Sequence, residues 1–216
     1  MKGVFIMLDK YVQFNELEKD LTKLESDDYN DICCMDVMIV LLLRSGVTID
    51  DIVKLKNSDF DFDKQLVTIR NNNTIRKLKL DEKVLNWVIK SRDWDGKVPR
   101  TRFVMNTLED HVIRLNGDVY DEEQARRSIK RRLAKFRETG FRPMNENVLI
   151  NSKKIDVLDG LVERQGSLGT EDFKKVQVQF GNSEGSYFKL KADYQAVRGS
   201  EHIRLKQRGR KQKQAN

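Results

Sequence analysis

Val37-Met38-Ile39-Val40-Leu41-Leu42-Leu43-Arg44-Ser45-Gly46-Val47-Thr48-Ile49-Asp50-Asp51-Ile52-Val53-Lys54-Leu55 is the stretch on which the fold turns. Its first seven residues are apolar, so a helix through them has no polar face and belongs in the centre of a core. That helix is expected from about Asn30 to Arg44. Ser45-Gly46 stops it, because glycine accepts the backbone conformation that closes a helix. Thr48 then stands three residues before Asp51, the spacing of a capping box, and starts a short helix that ends near Leu55.

Reading outward from this stretch gives a mainly α protein with a small antiparallel β-sheet. Upstream, Asn15 is placed to cap a helix with Glu18 in the capping-box position. Leu17, Leu21 and Leu24 form its apolar stripe, and Ser26-Asp27-Asp28 ends it. Downstream, Gln65 to Arg70 and Ile75 to Leu80 alternate as strands around Asn71-Asn72-Asn73, whose asparagines suit a tight turn. Asp81 caps a helix carrying Val84, Leu85 and Val88, and a short strand-like piece spans Arg102 to Met105. Further helices are expected at Glu122 to Glu138, Asn151 to Arg164, Glu171 to Gln179 and Phe188 to Val197, with Gly166 and Gly169 breaking the run between two of them.

Composition narrows the class. The chain of 216 residues is 38% hydrophobic and 35% charged, and no stretch approaches the roughly 20 apolar residues of a membrane span. Residues 1–10 lack the apolar core and cleavage site of a secretory signal. Cys33 and Cys34 are adjacent, a spacing that rarely forms a disulfide, so two reduced thiols in a helix and a reducing cytoplasm are expected. With His111 and His202 as the only histidines, no metal or other cofactor is expected. The net charge is +7, and the last 19 residues carry +6 of it. Arg198, Arg204, Lys206, Arg208, Arg210, Lys211 and Lys213 stand there against Glu201 alone. Such a tail suits phosphate neutralisation, although it also serves solubility.

The segment from Glu122 to Arg137 holds seven basic residues. At 100° per residue Ala125, Ile129, Leu133 and Phe136 share one narrow stripe. Gln124, Arg127, Lys130, Arg131 and Ala134 occupy the opposite side. A helix anchored on one side with Arg and Gln on the other fits a major groove, where Arg matches guanine and Gln matches adenine. A merely solvated basic face has the same pattern.

The order of these pieces resembles the catalytic domain of tyrosine recombinases (phage integrases). There an apolar helix runs into Thr-Gly-Leu-Arg-Ile-Ser-Glu-Leu, followed by a three-stranded sheet. Here Ser45 to Ile52 is similar to that box, and Asn57-Ser58-Asp59-Phe60-Asp61 is similar to the family's Trp-x-Asp-Ile-Asp. The basic helix resembles the one such enzymes lay in the major groove. Val178-Gln179-Phe180-Gly181-Asn182-Ser183 resembles the helix end Leu-Gly-His-Ser. The likeness covers about residues 14–197. It implies one integrase-like DNA-binding domain over 1–197 and a basic tail without fixed structure over 198–216.

The departures from the family pattern fall on its chemistry. The family's first arginine corresponds to Thr48 and its hairpin lysine to Asn71. The box His-x-Leu-Arg-His matches Asp156 to Gly160 without gaps, with Asp156 and Asp159 in the functional places. A gapped alternative puts it at Asn147 to Asn151. The late histidine becomes Asn182 and the nucleophile position Lys191, with Tyr187 and Tyr194 out of register. Phosphodiester attack by tyrosine needs cations and acids around the developing phosphorane, so no enzymatic activity is expected.

The resemblance extends to integrase-fold repressors of SPbeta-type Bacillus phages. It implies a sequence-specific regulator of transcription in a bacterial cytoplasm, associated with the nucleoid and binding double-stranded DNA. The expected contacts are Gln124, Arg126, Arg127, Lys130, Arg131, Lys135, Arg76, Lys77, Arg204, Lys206, Arg208 and Arg210. About a dozen residues precede the first helix, so a lone half-clamp is expected to need a homodimer, a C-terminal-helix contact with another protomer, or the tail. The other classes of function are a protein-interaction module docking on an active integrase or another DNA-bound partner and, less favoured, an active site-specific recombinase that uses unfamiliar residues.

Overall fold

The structure is a computed structural model that describes residues 11–26, 32–71, 74–97, 104–138 and 145–204. Two compact units divide the chain, residues 1–153 and 154–216. The elements are α1 (Phe14–Glu25), α2 (Cys34–Arg44), α3 (Ile49–Ile52), β1 (Phe60–Asp61), β2 (Leu66–Asn71), β3 (Thr74–Lys79), α4 (Glu82–Asp93), α5 (Glu122–Glu138), α6 (Glu146–Gln165), α7 (Thr170–Gln179) and α8 (Tyr187–Arg198). Helix α6 crosses the division between the units. This is the expected mainly helical chain with a small antiparallel sheet. Among the described residues no helix is long and apolar enough to cross a membrane.

In the first unit α2 is the hub. Every residue from Cys34 to Arg44 is buried, and α1, α4 and α5 pack around it. Truncating one of its leucines to alanine would remove about 2–5 kcal/mol. Gly46 follows with φ 95°, which turns the chain out of the core. Thr48 then caps α3, its side chain accepting from Asp51 N–H at 3.2 Å while Asp51 Oδ2 accepts from Thr48 N–H at 3.0 Å.

The sheet has the order β1-β2-β3 and is antiparallel throughout. The register Val67↔Leu78, Ile69↔Arg76 and Arg70↔Ile75 assigns faces, because side chains alternate along a strand. Val67 and Ile69 are buried, and Arg76 shares their face. Ile75, Lys77 and Lys79 are exposed on the other face.

The second unit holds the later part of α6 with α7 and α8. Phe173 and Tyr194 meet edge to face across α7 and α8, ring centroids 5.9 Å apart. Lys154 Nζ donates to Gln177 Oε1 at 2.8 Å, and Gln177 Nε2 donates to the Ser186 carbonyl at 2.9 Å. Burial pushes the Lys154 amine down to about 8, with Lys189 adding to the effect and Asp193 opposing it. After α8 the chain returns to pair with the preceding turn. Leu168 N–H donates to His202 O at 2.7 Å and Arg204 N–H to Leu168 O at 2.9 Å.

Several local expectations change. Helix α1 begins at Phe14 with Gln13 as its cap residue, so Asn15 lies inside the first turn, where its side chain cannot cap. Cys33 precedes α2 as its cap residue rather than lying within it, because Asp36 accepts the Cys33 N–H at 2.9 Å. Helix α6 starts at Glu146, five residues before the expected Asn151, since Asn145 Oδ1 accepts from Val148 N–H. The hairpin strands shift by one residue, and Asn71 ends β2. Val104 makes an isolated bridge with Lys97, while residues 102–103 lie outside the described residues. The tail boundary drawn at 197/198 falls inside α8, which runs to Arg198.

Candidate nucleic-acid interface

Helix α5 is anchored as its spacing requires. Ala125, Ile129, Leu133 and Phe136 are all buried, and Gln124, Lys130, Arg131 and Ala134 are exposed, as is Arg127. Asp121 Oδ1 accepts the Gln124 N–H at 2.8 Å and so caps the N-terminus of the helix. Among the described residues Arg127, Lys130 and Arg131 enter no ion pair. They are cations displayed on a rigid rod. Gln124 reaches the Asn116 carbonyl at only 3.5 Å, a bond it can give up.

Three other cations of the segment are committed differently. Arg126 is half-buried and pairs with Asp50 at 2.9 Å and Glu123 at 2.7 Å. Arg132 is buried, 6% exposed, and pairs with Asp36 of α2 at 2.5 Å. Its other terminal nitrogen meets Met105 Sδ. Burial and then the Asp36 charge push the adjacent Cys33 thiol up to about 12, which keeps it protonated. Lys135 is half-buried.

The positions expected from the sequence to match the family's catalytic groups make a different picture. Thr48 Oγ1 donates to Asp51 Oδ2 at 2.7 Å. Arg76, on the inner face of the hairpin, pairs with the same carboxylate. Glu146 at the start of α6 accepts from Ile49 N–H at 2.8 Å. Thr48, Asp51, Arg76 and Glu146 are thus brought together, and the one cation among them is already neutralised. Lys77 points to the opposite face of the ribbon from Arg76, so these two expected contacts cannot serve one surface. Of Asn71 only its place at the end of β2 is described.

In the second unit Asp159 pairs with Arg198 at 2.9 Å. Tyr194 is buried against Asp159, and burial first, then that carboxylate, pushes its phenol up to about 12. Asp156 lies one turn earlier on α6. Asn182 Nδ2 donates to the Phe180 carbonyl at 3.2 Å. Lys191 is half-buried on α8, and the Tyr187 ring lies 3.9 Å from that of Phe188. Arg204 Nε donates to Ser167 Oγ at 2.6 Å, while Lys206, Arg208 and Arg210 lie outside the described residues. No group of side chains among the described residues could hold a metal ion.

The sequence reading missed the roles of Arg132, Asp50 and Glu146. A signal existed for Arg132: Asp36 is the one acid of α2, in an apolar run whose own cation, Arg44, stands eight residues away at the far end, and a buried carboxylate demands a cation.

Comparison with solved structures gives XerA recombinase at 17% identity and a TM-score of 0.53, covering 85% of this chain and 58% of that one. The Tn1549 transposon integrase in complex with circular intermediate DNA matches at 14% identity and a TM-score of 0.49, covering 84% and 62%. The chain therefore spans about three-fifths of the length of these structures. Comparison with curated proteins gives no match. The family model described as MrpR, C-terminal catalytic domain, matches residues 18–199, from within α1 to just past α8, and the chain belongs to that family, with the fold of a tyrosine-recombinase catalytic domain.

Proposed function

We propose that this chain is a sequence-specific DNA-binding regulator, of the phage-repressor kind, on a tyrosine-recombinase domain that no longer cuts DNA. The observation that carries the reading is α5: four apolar residues lock one side into the core, while Gln124, Arg127, Lys130 and Arg131 stand on the other. Major-groove recognition needs that combination of rigid placement and uncommitted forked donors.

Inactivity follows from charge. A pentavalent phosphorane needs cations, and here Thr48 replaces one while Arg76 is neutralised by Asp51. The gapped placement of the second box is preferred, because Glu146 touches the Thr48 turn. That placement puts Asn147 in the box's first histidine place and Ile150 in its arginine place, with the acid Glu146 just before them, where the chemistry wants a guanidinium. Tyr194 is buried with its hydroxyl directed to Asp159, which denies it to a phosphate.

Incubation with nicked suicide duplexes of varied sequence, followed by denaturing electrophoresis, tests the reading. Non-covalent binding with no protein–DNA adduct is expected. An adduct that disappears in Tyr187→Phe or Tyr194→Phe overturns it.

A second reading is a module that docks on another protein, such as an active integrase or a second protomer, through its C-terminal helix. Phe188 on that helix, 67% exposed, favours it, with Val178 of α7, 52% exposed, a second apolar side chain in the same unit. Loss of the partner's effect on adding excess free DNA supports the first reading; co-purification without DNA supports the second.

A further inference from the structure

Strand β1 is only two residues long and pairs with Leu66 and Val67 alone. Beyond it the edge of β2 runs past the segment that follows α3, and a concavity of about 250 Å³ lies between them. Lys54, Lys56, Ser58 and Arg70 line it together with Asp51 and Asp59.

The acids there are already engaged. Asp51 is held by Thr48 and Arg76, and Asp59 by Arg70 and by the Lys56 backbone N–H at 3.0 Å. Lys54 and Lys56 are half-buried, and among the described residues neither ammonium enters an ion pair. Two half-buried lysines sharing a concavity with a serine hydroxyl present donors and positive potential to one oxyanion. Helix α3, which supplies Asp51 to the lining of the concavity, also packs against α5. The neighbouring Asp50 is paired to Arg126 of α5.

We propose that this concavity is an anchoring site for a backbone phosphate of the DNA, held by Lys54 and Lys56, beside the groove-reading helix. The proposal rests on the DNA-binding reading above and adds to it an anchor that fixes the protein's register on the duplex without reading sequence. Arg70 contributes through Asp59, whose charge it cancels.

The test uses the full chain and two measurements. First, duplex affinity is measured against salt for the wild type and for Lys54→Gln/Lys56→Gln, with Lys64→Gln, a lysine paired to Asp61 outside the concavity, as control. Removing one phosphate interaction lowers the slope of log K against log salt by about 0.9. The double variant is expected to reduce the slope by roughly 1–2, with the ratio of specific to non-specific affinity unchanged, and the control to leave it as it was. Second, lysine acetylation of the wild type is followed by mass spectrometry with and without duplex. Protection of Lys54 and Lys56 by DNA is expected, and this arm does not depend on a variant folding.

If the wild type binds duplex but both lysines acetylate as in the free protein, the anchor is overturned and the DNA-binding reading stands. If inorganic phosphate at matched ionic strength protects them and duplex does not, the site takes a free anion and the anchor is again overturned. If the wild type binds no duplex even at low salt, both readings fall together.

Discussion

Arg132 shows how one side chain changes the meaning of a basic helix. By composition it is one of seven cations on a segment that resembles a DNA reader. By position it stands three residues after Ile129 and four before Phe136, on the flank of the apolar anchor, and it is buried against Asp36. A buried pair of this kind rarely adds net stability over an apolar pair, but breaking it strands a charge. Arg132→Met should therefore cost about 3–5 kcal/mol in chemical denaturation. Arg132→Met combined with Asp36→Leu should recover most of that loss, because no charge remains buried. A single variant losing under about 1 kcal/mol would show that Asp36 finds solvent or another partner, and that the pair does not set the orientation of α5.

At the scale of the element, α5 makes a prediction about recognition. Arg127→Ala or Arg131→Ala should cost roughly 1–3 kcal/mol on the preferred site and much less on random duplex. Arg126→Ala should cost less on both, since Asp50 and Glu123 already hold that guanidinium. Equal small losses from all three, measured at one salt concentration on variants folded by circular dichroism, would mean a solvated face and not a reader. The anchor stripe of α5 was legible because burial follows a 3.6-residue period that the sequence displays openly. The α2 hub and the Thr48–Asp51 box were legible for similar reasons: an all-apolar run and a local cap need no distant partner. What stayed hidden depends on long-range pairing. Nothing near Arg126 or Arg76 announces that Asp50 and Asp51 claim them. The start of α6 was not legible, because Asn145 caps it by accepting from Val148 N–H and Glu146 reaches the distant Ile49 N–H. The resemblance suggested where the family's catalytic groups would fall, but only the hydrogen bonds show what the side chains at those positions are occupied with.

For the whole molecule, on the proposed DNA-binding reading, the distribution of charge sets how tightly, rather than where, the chain would bind. The sequence placed the tail from residue 198, yet Arg198 closes α8 with its guanidinium on Asp159, and Arg204 is tied to Ser167 and Leu168. Both arginines are therefore partly engaged within the second unit. The cations beyond them are Lys206, Arg208, Arg210, Lys211 and Lys213, five charges with no acid among residues 205–216. Without that segment the chain falls from +7 to +2. A truncation after Arg204 keeps the Leu168–Ile203 bridge and removes only these five. If each neutralises one phosphate, the slope of log K against log salt should fall by up to about 4.5. Phosphates are the same on every sequence, so specific and random duplexes should weaken alike and their affinity ratio should hold. The truncated chain should also unfold at the same denaturant midpoint, since every described hydrogen bond and ion pair is retained. An unchanged slope would show that the tail touches no phosphate. A changed ratio with a reduced slope would mean that part of the tail reads bases, and α5 would then not be the sole source of specificity. Combining the truncation with Lys54→Gln/Lys56→Gln separates the two electrostatic contributions. Counterion release counts neutralised phosphates, so independent sites should subtract from the slope additively, and a shortfall would place tail and concavity on the same phosphates.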